Sequence, residues 1–436
     1  MPKEFVIVGG GAAGLAAADT ILSASGDNYV QLFEAQDYTG GRAHTDTRTI
    51  PGLPFDMGAV YLQDPANNPW AQVARDLGFD TIPDDMDSVM RIDRGNGYED
   101  VRPGGDEAVN GVVKEIGDDY ERNKELPNQP VMEKPRLDTV SEWFGLAASP
   151  YGPFTESAEP WQYLAADRAR DAQGEGNLFV KQGLGNLVRA YGQTLQKRFK
   201  DRYTERLATP VTEIVQEKDA LVVYTKQHQV IVPATACIVT VSVDVLAAGS
   251  ITFTPALPTA YVDALKALRL GSYKKLAVEL AALPEGIRDN TNYYLYNSEP
   301  EGIWQYYRLS YYPKDVLVVH TSGDFAAALE TIEDRMVYGM FQSALGEAYG
   351  VDVHLREAKA MTHWRNAPYV RGAYSYTAFT GGGPEDRSAL QARAVLSKPV
   401  GRVCFGGEAQ SLTAYGTLQG AYWEGQAAAR RALQMG

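Results

Sequence analysis

Three glycines near the start of the chain have the spacing of a phosphate-binding turn. Gly9, Gly11 and Gly14 follow a short apolar run, Phe5 to Val8, and Glu34 comes twenty residues after Gly14. Glycines at this spacing allow a tight turn, a close approach of backbone to a diphosphate, and close packing of a helix on its strand. An acid at position 34 can accept hydrogen bonds from both ribose hydroxyls. The spacing therefore predicts a dinucleotide-binding site.

Two strands and a helix must position these residues. Phe5 to Val8 is predicted to be a buried parallel strand, and Val30 to Phe33 a second strand that ends at Glu34. A helix that begins near Gly11 would direct its free N–H groups and the positive end of its dipole at the diphosphate. The acid at 34 disfavours a 2'-phosphate. A glycine-rich turn of this kind also occurs without a ligand, so the triplet alone leaves a purely structural role open.

A second glycine turn, Gly40-Gly41-Arg42, follows six residues after Glu34 and suits a second pass of backbone beside the same diphosphate. With this turn, the chain resembles the flavin-containing amine oxidases, which include monoamine oxidases, polyamine oxidases and L-amino acid oxidases. The resemblance implies FAD as the cofactor rather than NAD. Matches continue in the right order near residues 56, 211, 275 and 364 and at the C-terminus, and they cover most of the chain except residues 85–170.

The resemblance implies an α/β fold with a Rossmann-like, GR2-type FAD-binding domain and an interleaved α+β substrate domain of mixed sheet and helices. The FAD-binding domain is expected over 1–84, 178–250 and 400–436. The substrate-binding domain is expected over 85–177 and 251–399, with 85–177 as a helical lobe over the substrate entrance. Within that lobe the sequence predicts a helix over 105–123 and a loop from Leu126 to Pro130.

The cofactor contacts implied by the resemblance are spread along the chain. They are Gly9, Gly11, Ala13, Gly14, Glu34, Gly41, Arg42, Gly58, Ala59, Val211, Trp364, Gly407, Glu408, Thr417 and Leu418. The run from Gly416 to Ala421 opens an alanine-rich terminal helix. The positive end of that helix would stabilise negative charge that develops on the flavin ring.

The reaction implied is oxidation of an amine to an imine by hydride transfer to flavin N5, with hydrogen peroxide as a product if oxygen is the acceptor. In the family a lysine holds a water beside the flavin, and the resemblance places Lys275 at that position, with Lys274 as the rival. Neighbours in a strand point to opposite faces, so only one of them can reach the flavin. Without the resemblance, two adjacent lysines at a strand start are typical of a protein surface.

The substrate cage implied by the resemblance is incomplete. The family often frames the amine between two aromatic rings; Tyr374 matches one of them, and Thr417 occupies the other position. Tyr415 or Trp423 could replace the missing ring. We therefore expect a substrate that is bulkier or less usual than a simple monoamine.

Tyr61 bears on the choice between amines and amino acids. Amino acid oxidases of the family bind the substrate carboxylate with an arginine after Gly-Ala-Met, whereas this chain reads Gly58-Ala59-Val60-Tyr61. We expect an amine or a related nitrogen compound, not a free α-amino acid, unless Arg91 or Arg308 supplies the clamp. The runner-up is an L-amino acid oxidase of the same fold. A flavoprotein desaturase and an FAD-binding scaffold without activity are the alternatives of other classes.

Composition limits the partners. A formal net charge of -14 argues against nucleic-acid binding, which needs a basic surface. The five histidines lack metal-ligand spacing, so no metal is expected. The glycine motif begins too close to Met1 for a leader, and no long apolar run is present, so we expect a cytoplasmic protein that does not enter a membrane. A homodimer is compatible with the sequence, although nothing in it specifies one.

The two cysteines are predicted to be buried thiols. Cys237 and Cys404 lie in apolar, strand-like runs. Family members with a thioether-linked flavin carry a cysteine immediately before the cage tyrosine, and this chain has Ala373 there. The resemblance therefore implies FAD that is bound without a covalent link.

Overall fold

The computed structural model describes residues 2–93, 97–100, 176–218, 221–227, 229–232, 234–298, 301–377 and 388–435. Within these residues a five-stranded parallel sheet and a seven-stranded mixed sheet dominate, and smaller sheets connect them. The helices are Ala12–Ala24, Pro69–Leu77, Leu184–Phe199, Val243–Ala247, Thr259–Ala267, Gly323–Leu329, Asp334–Tyr349, Ser388–Leu396 and Leu418–Leu433, with a 3₁₀ turn at Glu408–Gln410.

The parallel sheet carries the glycine motif. Its strands, in spatial order, are Tyr203–Arg206, Asn28–Phe33, Lys3–Val8, Ala236–Val239 and Val403–Phe405. The strand Ala236–Val239, which lies between Lys3–Val8 and Val403–Phe405, is buried along its whole length, as expected of a parallel sheet covered on both faces. Helix Ala12–Ala24 packs on one face together with the C-terminal helix Leu418–Leu433. The strand, helix and second strand predicted from the glycine motif are therefore confirmed.

The seven-stranded sheet forms the second layer. Its strands, in spatial order, are Leu355–Met361, Tyr273–Leu280, Val316–Ser322, Glu301–Tyr307, Thr291–Ser298, Asp87–Asp93 and Tyr98–Asp100. Neighbours run antiparallel except Thr291–Ser298 and Asp87–Asp93, which run parallel. One face packs against helices Gly323–Leu329 and Asp334–Tyr349 through a core that includes Leu276, Val278 and Phe341. The opposite face carries Lys275 and borders a cavity.

Smaller sheets join these layers. They are Gln229–Val232 with Leu221–Thr225, Val211–Gln216 and Thr252–Thr254; Tyr61–Gln63 with Asn177–Val180 and Thr81–Pro83; Leu268–Leu270 with Ser375–Thr377; and Thr45–Asp46 with Phe55–Asp56. Leu221–Thr225 and Gln229–Val232 pair as antiparallel neighbours.

The expectation of a helical lobe over residues 85–177 is wrong for the first residues of that range. Asp87–Asp93 and Tyr98–Asp100 are strands, and they pair with the edge of the seven-stranded sheet. Pairing with that edge outweighs the weak local signals of an acidic, glycine-containing segment. The predicted helix at 105–123 and the loop from Leu126 to Pro130 lie outside the described residues.

The packing bears on the domain boundary expected at residue 251. Tyr261 and Leu265, from helix Thr259–Ala267, share one apolar core with Val6 and Cys237 of the parallel sheet. Leu396, from the helix that precedes residue 400, belongs to the same core. We propose that the cofactor-side unit includes residues 252–270 and 388–399 in addition to the segments expected from the sequence.

Candidate active site

A cavity of about 970 Å³ runs from the glycine turn to the open face of the seven-stranded sheet. Gly9, Gly11 and Glu34 lie at one end, and Lys275 and Tyr374 line the part that meets the sheet. A cavity of this size, lined by both apolar and polar groups, is typical of a cofactor and small-molecule site.

The glycine turn and Glu34 form one hydrogen-bonded unit. Gly10 N–H donates to Glu34 Oε2 at 2.6 Å, and Gln36 N–H donates to Oε1 at 2.8 Å. Burial raises the pKa of Glu34, and these backbone N–H groups oppose the rise. A Cβ at position 14 would lie 1.9 Å from Gly9 O, so only glycine lets the helix pack this closely on the turn.

Half-buried Arg42 and buried Glu408 form an ion pair beside the turn. Arg42 Nη1 lies 2.8 Å from Glu408 Oε1, and Glu408 also accepts hydrogen bonds from the Ser375 hydroxyl and from Gly416 N–H. Burial alone would raise the pKa of Glu408, but Arg42, Ser375 and Arg393 hold it below its usual range. Glu408 is therefore an ionised anchor that ties three distant segments together at the cavity wall.

Gly58 and Trp364 form another part of the wall. Trp364 Nε1 donates to Met57 O at 2.9 Å, and its ring lies against Gly58. A Cβ at position 58 would lie 1.7 Å from Arg42 O. Position 58 thus requires glycine because two backbone segments meet there.

Lys275 is buried, with 3% of its surface exposed, and it lines the cavity. Its Nζ donates to the backbone oxygens of Asp56 at 3.0 Å and of Gly58 at 2.6 Å. Burial lowers the pKa of Lys275 to about 8, and the nearby Asp56 carboxylate opposes that change. Two of the three N–H groups of the ammonium are therefore engaged by the chain, and the third remains for another acceptor.

Lys274 points the other way, as the alternation of the strand predicts. Its Nζ donates to Thr362 O at 3.0 Å and lies 3.5 Å from His363 Nδ1, and it is absent from the cavity wall. Both lysines are buried, however, so the surface alternative suggested by adjacent lysines is wrong.

Asp56 was not identified from the sequence as part of the site. Its carboxylate accepts hydrogen bonds from the Thr45 hydroxyl, from Leu184 N–H at 2.9 Å and from Gly185 N–H at 3.1 Å, so it holds the start of helix Leu184–Phe199. Burial raises the pKa of Asp56 to about 6, and these hydrogen bonds limit the rise. In the sequence, Asp56 is an acid two residues before Gly58. This local pattern does not indicate a hydrogen-bond partner 128 residues away.

Thr417 begins the C-terminal helix. Its hydroxyl accepts from Gly420 N–H at 2.9 Å and donates to Ala414 O, so it acts as an N-cap. The helix start lies at the cavity wall with Leu418. Tyr374 lines the cavity, and of the two aromatic residues that could replace the missing ring, Tyr415 lines it and Trp423 does not.

A row of polar side chains crosses the open face of the sheet. Lys275 pairs directly with His320, His320 with Gln305, and Gln305 with Tyr294 on successive strands, and all four line the cavity. We call this set the polar row. His320 Nδ1 lies 2.7 Å from the Tyr273 hydroxyl, and burial and Lys275 keep the pKa of His320 well below its usual range, so the imidazole is neutral. Sequence reasoning missed the polar row beyond Lys275 because its members are scattered along the chain.

Tyr61 lines the cavity beside Asp84. The Tyr61 hydroxyl and the Asn177 side chain hydrogen-bond to the Asp84 carboxylate, and Tyr294 lies close to the same acid. Burial raises the pKa of Asp84. Asp84 was also missed in the sequence. Gln63 lines the cavity, whereas Asp64 is absent from its wall and accepts from Asn67.

The residues expected to contact cofactor or substrate come together in space. The cofactor contacts implied by the resemblance, together with Lys275, Tyr374 and Tyr61, all line this one cavity except Gly14, which packs behind the turn. Arg91 and Arg308, the alternative carboxylate clamps, lie elsewhere: Arg91 donates to Ala348 O and stacks on Tyr349, and Arg308 pairs with Asp289.

Two kinds of feature are absent from the described part of the chain. No group of three or more histidine, cysteine, aspartate or glutamate side chains there is arranged to hold a metal ion. None of the helices in the same residues is long and apolar enough to cross a bilayer.

The fold and cavity define a flavoenzyme of one family. A family model described as flavin containing amine oxidoreductase matches residues 12–433, and the chain belongs to that family of enzymes. It is 26% identical over 452 aligned residues to the probable polyamine oxidase 4 of Arabidopsis thaliana, across 98% of this chain and 86% of the relative.

Solved structures show the same fold at low identity. A putrescine oxidase bound to putrescine matches with a TM-score of 0.75 and 18% identity, and the match covers 100% of this chain and 99% of the other. Cyclohexylamine oxidase from Brevibacterium oxydans IH-35A matches with a TM-score of 0.76, 18% identity and the same coverage. The predicted fold class is thereby confirmed.

Proposed function

We propose that the protein oxidises the carbon–nitrogen bond of an amine to an imine with FAD, and that oxygen accepts the electrons and is released as hydrogen peroxide. The observation that carries the proposal is the position of Lys275. Its ammonium lies in the wall of a cavity that is continuous with the dinucleotide-type glycine turn. Lysine at this position is what the family resemblance requires beside the flavin.

The residues present fit FAD. Glycine backbone at the start of helix Ala12–Ala24 suits the diphosphate, Glu34 suits a ribose without a 2'-phosphate, and Arg42 adds positive charge at the same end. The helix that begins at Leu418 points its positive end at the other part of the cavity. When bound, FAD would supply the acceptor for the two electrons that leave the carbon–nitrogen bond.

The chain's own residues prepare the amine. Hydride loss requires an uncharged nitrogen, and the ammonium of Lys275 disfavours a second positive charge beside it. The third N–H of Lys275 is available to hold a water at the reacting centre. Tyr374 and Tyr273, whose ring centroids are 6.1 Å apart, enclose the same region and help to exclude bulk water.

The wall of the cavity favours an amine over an amino acid. In the described residues the arginines that line it are Arg42, paired with Glu408, and Arg371, which lies beside Val370 at the cofactor end. Tyr61 occupies the place of the carboxylate-binding arginine. The polyamine oxidase relative and the structures of putrescine and cyclohexylamine oxidases support an amine substrate.

We further propose that the FAD is bound without a covalent link. Cys237 and Cys404 are completely buried in the parallel sheet, away from the cavity wall, and burial raises the pKa of both thiols. Ala373 precedes Tyr374 where linked relatives carry a cysteine. Acid precipitation should leave the yellow colour in the supernatant, and flavin that stays with the pellet would refute this proposal.

The proposed reaction is tested by its stoichiometry. The purified protein, supplied with a primary amine and oxygen, should consume one oxygen and release one hydrogen peroxide, one ammonia and one aldehyde, because the imine adds water after it forms. Protein stripped of flavin is the matched control. Oxygen uptake without aldehyde, or aldehyde without oxygen uptake, would count against the proposal.

A further inference from the structure

Three successive backbone carbonyl groups, those of Asp56, Met57 and Gly58, hold two side chains of the cavity wall. Lys275 Nζ donates to Asp56 O at 3.0 Å and to Gly58 O at 2.6 Å. Trp364 Nε1 donates to Met57 O at 2.9 Å. We call these three carbonyl groups the carbonyl seat. The positions of the Lys275 ammonium and of the Trp364 ring therefore depend on where this short backbone segment lies.

The Asp56 side chain fixes the carbonyl seat to the rest of the protein. Its carboxylate accepts hydrogen bonds from the first two N–H groups of helix Leu184–Phe199, at 2.9 and 3.1 Å, and from the Thr45 hydroxyl. The positive end of the helix dipole stabilises an anion at this place. Asp56 therefore contacts the helix through its side chain and Lys275 through its backbone oxygen.

The same carboxylate acts on the charge of Lys275. Burial lowers the pKa of Lys275 to about 8, and the negative charge of Asp56 opposes that change. The other titratable groups that interact with this pair are neutral near pH 7, because burial lowers the pKa of His320 and raises the pKa values of Tyr311 and Tyr312. Asp56 is thus the acid that favours the charged form of the lysine.

The charge of Lys275 decides whether it has a donor to spare. An ammonium has three N–H groups, and the carbonyl seat takes two of them. A neutral amine has two, and the carbonyl seat would take both. A donor for a water in the cavity is therefore present only while Lys275 is charged.

We propose that Asp56 is a positioning residue of the amine oxidation, which holds the carbonyl seat in place and keeps Lys275 in its ammonium form near neutral pH. The inference rests on the proposed function and adds to it a residue that does not line the cavity. Asp56 touches neither substrate nor cofactor in this account and acts through Lys275.

Two substitutions separate the charge of Asp56 from its hydrogen bonds. Asp56→Asn keeps an oxygen that accepts from the helix and removes the charge, so Lys275 should lose its proton at a pH lower by about one unit or more. Asp56→Glu keeps the charge and alters the packing, so Lys275 should titrate close to the wild-type pH even if the protein is less stable. A purely structural role predicts no change in the titration for either variant.

The titration is followed in the visible absorbance of the flavin in the oxidised holoenzyme, without amine, from about pH 6.5 to 9. This range lies above the pKa of Asp56, about 6. Wild type should show a change with its midpoint near pH 8, and Lys275→Met should lack it, which assigns the change to Lys275. Asp46→Asn, at a more exposed acid that accepts from the N–H groups of Arg48 and Thr49, is the control and should keep the wild-type midpoint.

Reoxidation of the reduced flavin by oxygen, which involves no amine, is the second readout and should slow as the pH rises through the same midpoint. Melting temperatures of the variants report any loss of stability separately. The same midpoint in wild type and Asp56→Asn, or no change of absorbance in wild type, would overturn the inference while leaving amine oxidation intact. Failure of every amine to reduce the flavin would refute the proposed function instead, and the absorbance titration would still test the role of Asp56.

Discussion

Lys275→Met is expected to give a folded, yellow protein in which the flavin is reduced by amine, or reoxidised, about 10- to 100-fold more slowly. Methionine keeps the apolar stem but removes the ammonium, which donates to Asp56 O and Gly58 O and has one N–H left for a water. Hydrogen bonds to charged groups contribute about 1.5–3 kcal/mol, which corresponds to that range of rates. The loss falls on the chemical steps rather than on amine binding.

Lys274→Met is the matched control, because Lys274 is equally buried and differs in pointing away from the cavity. Stopped-flow traces of flavin reduction and reoxidation should show a much smaller change for Lys274→Met. Melting temperatures of both variants separate a loss of stability from a loss of rate. If the two effects are reversed, the assignment of the flavin-side lysine is off by one residue.

The second large effect concerns substrate class. Cadaverine should be oxidised with a kcat/KM at least about 100-fold higher than that of L-lysine, which differs from it by the α-carboxylate. That carboxylate would enter a cavity beside Tyr61 and Asp84, without a guanidinium to pair with it, and an unpaired buried charge costs about 3–5 kcal/mol. Burial and the Asp84 carboxylate raise the pKa of Tyr61 well above its usual value, so its hydroxyl stays neutral.

L-lysinamide is the control for size. It keeps a group of similar volume at the α-carbon without the negative charge, so its kcat/KM should lie between those of L-lysine and cadaverine. A higher kcat/KM for the amino acid than for its amine would show that the argument from Tyr61 fails and would favour the L-amino acid oxidase alternative.

Local sequence predicted much of the cofactor side correctly. The glycine motif, Glu34 and the start of the terminal helix each depend on contacts within a short segment, and each was found where expected. The resemblance favoured Lys275 over Lys274, strand alternation required that only one of them face the cavity, and the two side chains do point to opposite faces. Their roles toward cofactor and substrate remain predictions.

The substrate side was less accessible to sequence reasoning. His320, Gln305 and Asp84 come from separate segments, and only the order and register of strands bring them to one wall. Asp87–Asp93 became a strand because an open sheet edge was available, a fact that no local pattern contains. Likewise, the sequence around Thr417 does not indicate whether its side chain caps a helix or contacts the substrate. In the structure the Thr417 hydroxyl caps the helix.

The most direct test of amine oxidation is an anaerobic titration of the yellow protein. A primary amine that the enzyme oxidises, added without oxygen, should bleach the main visible band of the flavin with one equivalent of amine per flavin, and admission of air should restore the band. Dithionite serves as the control that the bound flavin can be reduced. A protein whose flavin is bleached by dithionite but by no amine, at any pH between about 7 and 9 where Lys275 changes its charge, would contradict the account.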